Sequence, residues 1–109
     1  MTEEHAALNG QKLLAGGARD MFRAFVAFDR AVLEGDTAIP KKYKELLAVA
    51  VALTTQCPGC LDGHSAAAIA AGASQEELAE TVHIAAALRA GGALYHGMSY
   101  VMPHVEGHA

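Results

Sequence analysis

The spacing of apolar residues is helical along the whole chain, and no segment alternates apolar and polar residues over the length of a strand. Breaking residues at Gly35, Pro40, Gly72 and Pro103, together with the glycine pairs 16–17 and 91–92 and a reversal near Gln56, divide the chain into pieces of ordinary helix length. The sequence therefore predicts an all-α fold with about five to six helices. It contains no internal repeat and no linker-like stretch, so we expect a single domain over residues 1–109.

The ends of the helices follow from capping and breaking residues. We expect helical segments at residues 3–14, 18–33, 40–55, 58–71, from 75 to the glycine pair, and 93–102. Ser74 and Glu77 have the spacing of a capping box, which marks the start of the fifth helix. The pair Gly91 and Gly92 is expected to break that helix, and the tail from His104 onward is expected to be loose.

The chain offers more apolar surface than one small core can hide. It is 52% hydrophobic over 109 residues, and a chain this short buries only about two thirds of the surface that its unfolded form exposes. Residues 46–53 are apolar on every side, which predicts a helix enclosed by neighbours. We therefore expect a homo-oligomer in which helices are shared across interfaces.

Charge and hydropathy exclude several classes of partner. The net charge is -4, and the lysine and arginine residues are scattered, so nucleic acid is not expected as a partner. No apolar run approaches the roughly 20 residues needed to cross a bilayer, so no membrane association is expected. The first residues are acidic and polar, unlike a signal peptide. We expect a cytoplasmic protein.

Both cysteines lie in the segment Cys57-Pro58-Gly59-Cys60, and His64 follows Cys60 by one helical turn. In a reducing compartment, a lone Cys-x-x-Cys is more often catalytic or metal-binding than a structural cross-link. Two thiols with this spacing at a helix start close into a disulfide with little backbone movement. The segment is therefore interpreted as a working dithiol.

Glu45 is expected to reach His64 if the chain reverses near Gln56. Glu45 lies eleven residues before that point and His64 eight residues after it. In paired antiparallel helices, their positions along the helix axes therefore differ by about 4 to 5 Å. In this arrangement His64 takes the proton of Cys60, and Glu45 orients the imidazole. Cys57 then resolves the oxidised Cys60, although a cysteine at a helix N-terminus often attacks first, which favours the opposite assignment.

An Ala/Val-rich helix precedes the two cysteines, and a helix of small residues follows them. Together with Glu45, Cys57-x-x-Cys60 and His64, this pattern resembles the AhpD-like branch of the carboxymuconolactone decarboxylase (alkylhydroperoxidase) family. The resemblance covers about residues 43–97. It implies an all-helical AhpD-like fold that assembles as hexamers or trimers, with the hexamer favoured. It also implies a thiol-dependent peroxidase or disulfide reductase, whose substrate is a hydroperoxide or a disulfide.

The resemblance also implies a role for each residue of the site. In that family the second cysteine attacks the peroxide and the first forms the disulfide, which corresponds to Cys60 and Cys57 here. The residues that match His64 and Glu45 activate the attacking thiol. A lipoyl-bearing or thioredoxin-like reductant is expected to reduce the disulfide back to the dithiol. No cofactor is expected. Gly59 stands where some relatives carry a further histidine, so one element of their proton relay is absent.

Three other interpretations stay open for these residues. A zinc site would use Cys57, Cys60 and His64, but zinc usually takes four ligands and no second ligand motif is present, so no metal is expected. A non-enzymatic metal-binding or assembly module would carry the dithiol without using it. A decarboxylase-like or isomerase-like enzyme would use Glu45 and His64 as acid and base, although the decarboxylase branch does not rely on a cysteine pair.

The remaining polar and aromatic residues are predicted to have structural roles. Solvent-exposed side chains are expected at Lys41, Lys42, Lys44, His5, His104 and His108. Core packing is expected for Phe22, Phe25 and Phe28, and core or interface positions are expected for His83 and His96. Asp62 and Ser65 follow Cys60 closely enough to touch the site, but a helix N-terminus suits Asp62, and a backbone carbonyl is a simpler partner for Ser65.

Overall fold

The computed structural model describes residues 2–107, and every regular element within that range is helical. Its α-helices are α1 (Glu3–Gly17), α2 (Arg19–Leu33), α3 (Lys41–Thr55), α4 (Pro58–Ala70), α5 (Gln75–His96) and α6 (Pro103–Gly107). A short π-helical segment, Gly97–Val101, connects α5 to α6. The prediction of an all-α fold with five to six helices is confirmed.

The chain divides into two compact units, the first ending at Gly35 and the second beginning at Asp36. The first unit holds α1 and α2, which are separated by a single non-helical residue, Ala18. Phe25 and Phe28 of α2 are 60% and 67% exposed in this chain, so the prediction of core packing is wrong for these two rings. The first unit therefore displays much of its apolar surface.

The second unit is built around α3, which packs against both α4 and α5. Its buried apolar residues are Leu46, Val49 and Ala52 on α3, Ala68 on α4 and Ala85 on α5. Three of these residues are alanines, whose small side chains allow neighbouring helices to pack closely. This packing fixes the relative depth of residues on α3 and α4, on which the site depends.

Helix α3 is buried on one face only. Leu47 and Val51 lie on its other face and are 53% and 60% exposed. The prediction that residues 46–53 are enclosed on all sides is therefore wrong for a single chain. No helix within residues 2–107 has the length and apolar character needed to cross a membrane.

The C-terminal third of the chain is more continuous than predicted. Helix α5 begins at the predicted capping box and runs through Gly91 and Gly92 without a break. Neither glycine has a positive φ, so each keeps an ordinary helical conformation, at a cost of about 1 kcal/mol relative to alanine. Residues 103–107 are helical rather than loose, and residues 108 and 109, including His108, lie outside the described part of the chain.

Candidate active site

The turn between α3 and α4 sets the position of both cysteines. Gln56 ends α3 in the left-handed conformation, with φ 56° and ψ 51°. The backbone N–H groups of Gln56 and Cys57 both donate to the carbonyl of Ala52, the latter at 3.2 Å. This pattern satisfies a carbonyl at the helix end while the chain turns back. The predicted reversal near Gln56 is confirmed, and α4 starts two residues later at Pro58.

Arg89 of α5 binds the same end of α3. Its Nη1 donates to the carbonyl oxygens of Leu53 at 3.2 Å and Thr54 at 3.3 Å. A cation at a helix C-terminus is favourable because the unpaired carbonyls carry partial negative charge. The role of Arg89 has no signal in the sequence, since the residues it joins lie 35 and 36 positions away and no local motif connects them.

Cys57 and Cys60 form a disulfide, with their Cα atoms 5.3 Å apart. Cys57 is the N-cap of α4, and its Sγ accepts a hydrogen bond from the backbone N–H of Cys60 at 3.4 Å. Cys57 is half-buried and Cys60 is exposed. The helix N-terminus therefore favours negative charge on Cys57, whereas exposure makes Cys60 the residue more open to a reagent from solution.

Glu45 and His64 meet as the helix geometry predicted. His64 Nδ1 lies 2.6 Å from Glu45 Oε2, and Glu45 is only 2% exposed. With Nδ1–H donating to the carboxylate, the lone pair of His64 is on Nε2, where it can accept a proton. His64 follows Cys60 by one turn of α4, so the base and the thiol share one face of the helix.

The second oxygen of the same carboxylate is held by Lys41. Its Nζ lies 2.6 Å from Glu45 Oε1, and its side chain is 34% exposed. Burial raises the pKa of Glu45, but the hydrogen bonds from Lys41 and His64 together outweigh it and leave that pKa below its ordinary value. Glu45 is therefore an anion at neutral pH, with a cation on one oxygen and an imidazole on the other.

The prediction that α3 opens with a solvated turn of lysines is wrong. Lys41 binds Glu45, and Lys42 forms an ion pair with Glu77 of α5 at 3.1 Å. Lys44 is buried, with 8% of its surface exposed. The i, i+4 spacing of Lys41 and Glu45 was the signal that could have identified the first of these contacts.

The other candidate residues have less specific surroundings. Asp62 is exposed and Ser65 is half-buried. His83 and His96 are both exposed in this chain, His83 with its Nδ1 2.8 Å from the carbonyl oxygen of Ala79. Within residues 2–107, no three side chains of the His, Cys, Asp or Glu types come together as metal ligands would.

The chain is similar to known proteins in both sequence and fold. The sequence profile of the carboxymuconolactone decarboxylase family matches residues 19–101. A Paracoccus denitrificans protein, named "uncharacterized protein 4 in cox locus", is 43% identical over 96 residues, which span 88% of this chain and 83% of that protein. The crystal structure of an apo carboxymuconolactone decarboxylase family protein from Legionella pneumophila matches with a TM-score of 0.68 and 31% identity. The match covers 77% of this chain and 74% of that chain.

Proposed function

The chain belongs to the carboxymuconolactone decarboxylase family, and we propose that within it the protein is a thiol-dependent peroxidase or disulfide reductase of the AhpD-like branch. In this proposal Cys57 and Cys60 alternate between a dithiol and a disulfide. The observation that carries it is the bond between Glu45 and His64, made one helical turn from Cys60. A nucleophile, a base and an orienting carboxylate are thereby supplied by α3 and α4 alone.

The first half of the reaction oxidises Cys60. His64 takes the thiol proton at Nε2, and the anionic Glu45 stabilises the imidazolium that results. The Cys60 thiolate attacks one peroxide oxygen, an S–O bond forms, and the O–O bond breaks. The alkoxide that leaves takes the proton from His64 and departs as an alcohol. Cys60 is then a sulfenic acid, oxidised by the two electrons that reduced the peroxide.

The second half of the reaction restores the dithiol. The Cys57 sulfur attacks the Cys60 sulfenic acid, an S–S bond forms, and the hydroxyl group leaves as water after gaining the Cys57 proton. The 5.3 Å separation of the two Cα atoms supports this step. A lipoyl-bearing or thioredoxin-like dithiol then attacks the exposed Cys60 sulfur and leaves as a disulfide. A disulfide substrate would enter in the same way, by thiolate attack on sulfur.

The working form that we propose is a homo-oligomer, with a hexamer favoured and a trimer as the alternative. Large apolar side chains stay exposed in the single chain, on α3, α5 and the segments after it, at Leu47, Val51, Leu88, Leu94, Tyr95, Met98 and Tyr100. Exposed apolar surface of this extent is typical of subunit interfaces. We place the protein in the cytoplasm, where a reducing environment keeps the two cysteines of such a dithiol in the thiol form.

The test is a thiol titration of the reduced protein before and after one equivalent of an organic hydroperoxide, with mass spectrometry to locate the products. We expect both thiols to be lost within seconds and a Cys57–Cys60 bridge to appear. Cys60→Ser should abolish turnover, and Cys57→Ser should leave a sulfenic acid or a mixed disulfide on Cys60. Full activity in Cys60→Ser would refute the proposal.

The matched control uses two histidines of the same chain. His64→Ala should slow thiol oxidation by about 10² to 10⁴, the usual contribution of a positioned base. His83→Ala removes an exposed histidine on α5 and should leave the rate unchanged. Equal rates in the two variants would show that His64 does not act as the base.

A second candidate function rests on the Glu45–His64 pair, which is complete without the cysteines. In a decarboxylase-like or isomerase-like enzyme these two residues would act as acid and base. Activity that survives in the Cys57→Ser/Cys60→Ser double variant would favour this enzyme. Stoichiometric zinc in the purified protein, with no titratable thiols, would favour a metal-binding module instead.

A further inference from the structure

The carboxylate of Glu45 is bound at both oxygens, although the proposed reaction uses only one of them. Oε2 lies on His64 Nδ1 and Oε1 lies on Lys41 Nζ, each at 2.6 Å. A carboxylate that is 2% exposed needs partners for its charge, because burial without them is costly. With both oxygens bound, the group can neither rotate nor pick up a proton easily on a free oxygen.

From this arrangement we infer that Lys41 is a positioning residue, which holds Glu45 ionised and oriented so that His64 is ready to take the Cys60 proton. Lys41 does not touch the reacting sulfur in this scheme. It acts through Glu45 and then His64, so the inference rests on the proposed function. The sequence gives no hint of this role beyond the i, i+4 spacing.

The charges of the group explain why a lysine is needed. With His64 neutral, the Lys41 ammonium balances the Glu45 carboxylate. When the Cys60 proton moves to His64, the new imidazolium is balanced by the new thiolate. Without the ammonium, the buried carboxylate would be neutralised at a higher pH than in the wild type, by a proton taken either on itself or on His64. In the first form His64 lacks an anionic partner, and in the second form His64 already holds a proton. Neither form is ready to take the proton of Cys60.

Lys41 is also anchored for this role by the main chain. Its backbone N–H donates to Asp36 Oδ1 at 2.7 Å, which fixes the start of α3. This bond involves only the backbone of Lys41, so it is kept when the side chain is changed. The ammonium itself is partly exposed, since 34% of the side chain is accessible.

Other charged residues lie on α3 and on the two helices that pack against it, α4 and α5. On α3, Lys42 is paired with Glu77 of α5, and Lys44 is buried. On α4, Asp62 is exposed. Lys42 therefore provides a matched control, because it is a lysine of the same helical turn with an ion pair that does not involve Glu45.

The experiment compares Lys41→Met, Lys41→Arg and Lys42→Met with the wild-type protein. The first measurement is the pH dependence of the rate at which an organic hydroperoxide oxidises the reduced dithiol. We expect Lys41→Met to be about tenfold slower than wild type at about pH 5, the usual size of one lost charge-assisted hydrogen bond, with the acidic limb of its profile displaced to higher pH. Lys41→Arg should restore the wild-type profile, and Lys42→Met should keep it.

The second measurement follows the carboxyl carbon of Glu45 by ¹³C NMR as the pH is lowered, and needs no activity. Its titration should move to higher pH in Lys41→Met and return in Lys41→Arg. If Lys41→Met matches Lys42→Met in this titration, the inference is overturned. If wild-type protein fails to react with hydroperoxide, the proposed function fails by itself, and the Glu45 titration still decides whether Lys41 controls the carboxylate.

Discussion

Replacing Glu45 with glutamine removes the charge from the centre of the site and keeps nearly the same shape. The amide oxygen can still accept from Lys41, but the amide nitrogen then faces His64, which has to accept rather than donate. The bond to Lys41 keeps its cationic donor but loses its anionic acceptor, the bond to His64 becomes an ordinary one, and His64 loses the carboxylate that stabilises its protonated form. The variant should therefore be less stable as well as less active.

The expected loss of stability can be estimated from the structure. Hydrogen bonds to charged groups contribute about 1.5–3 kcal/mol, against about 0.5–1.5 kcal/mol for neutral ones. Glu45 is 2% exposed, but the side chains of its partners Lys41 and His64 are 34% and 28% exposed, so solvent screens both bonds. We expect Glu45→Gln to lower the free energy of unfolding by about 2 kcal/mol at neutral pH.

The pH dependence follows from the direction of the pKa shift. The folded-state pKa of Glu45 lies below its ordinary value of 4.5, because the bonds from Lys41 and His64 outweigh the opposing effect of burial. Its contribution to stability is therefore complete above the unfolded pKa and is lost as the pH falls through the folded pKa. The difference between wild type and Glu45→Gln should be largest near pH 7 and should shrink below about pH 4.5.

The assay is urea unfolding at a fixed protein concentration and in one redox state, because both the assembly and the disulfide affect the midpoint. Glu80→Gln provides the control, since Glu80 is an exposed carboxylate on α5 and should change stability by less than about 0.5 kcal/mol. The reasoning is refuted if Glu45→Gln matches this control at pH 7. A difference that stays constant down to the acid end of the native range would also refute it.

Two further predictions concern the turn that carries the cysteines. Gln56→Gly should raise the free energy of unfolding by about 1 kcal/mol, since glycine adopts the left-handed conformation of Gln56 without strain. Urea unfolding beside Gln56→Ala, which should show no such gain, checks this. Arg89→Met should lower stability by about 1 kcal/mol through loss of the bonds to Leu53 and Thr54. Hydrogen exchange of the Cys57 amide should also become faster in this variant, and an unchanged exchange rate would contradict the role given to Arg89.

The contact between Glu45 and His64 was predictable because it depends on regular geometry. A helix advances by a fixed rise per residue, and the reversal at Gln56 is a local event marked by the end of an apolar run. Once the two helices pair, the depths of the two side chains follow. The same reasoning could not place Arg89, because its contact with the end of α3 depends on how α5 crosses the unit.

Several of the errors share a physical cause, which is that local residue type does not determine burial. Lys41 was predicted to be solvated because lysine usually is, and the carboxylate that attracts it is buried only when α4 closes over α3. Gly91 and Gly92 were predicted to break α5, but glycine only weakens a helix, and this one is extended through both residues. Leu47 and Val51 were likewise predicted to be enclosed because they are apolar, but they lie on the outward face of α3.

The disulfide spans only three positions of the sequence, from the N-cap of α4 into its first turn. A cross-link stabilises a protein largely by restricting its unfolded chain, and for a ring of about four residues that effect is about 2 kcal/mol, against nearly 5 kcal/mol for a ring of about 100 residues. Making or breaking this bond therefore changes the free energy of unfolding by less than a cross-link between distant residues would. The fold is therefore less sensitive to the oxidation state of this cysteine pair than it would be if the two cysteines lay far apart in the sequence.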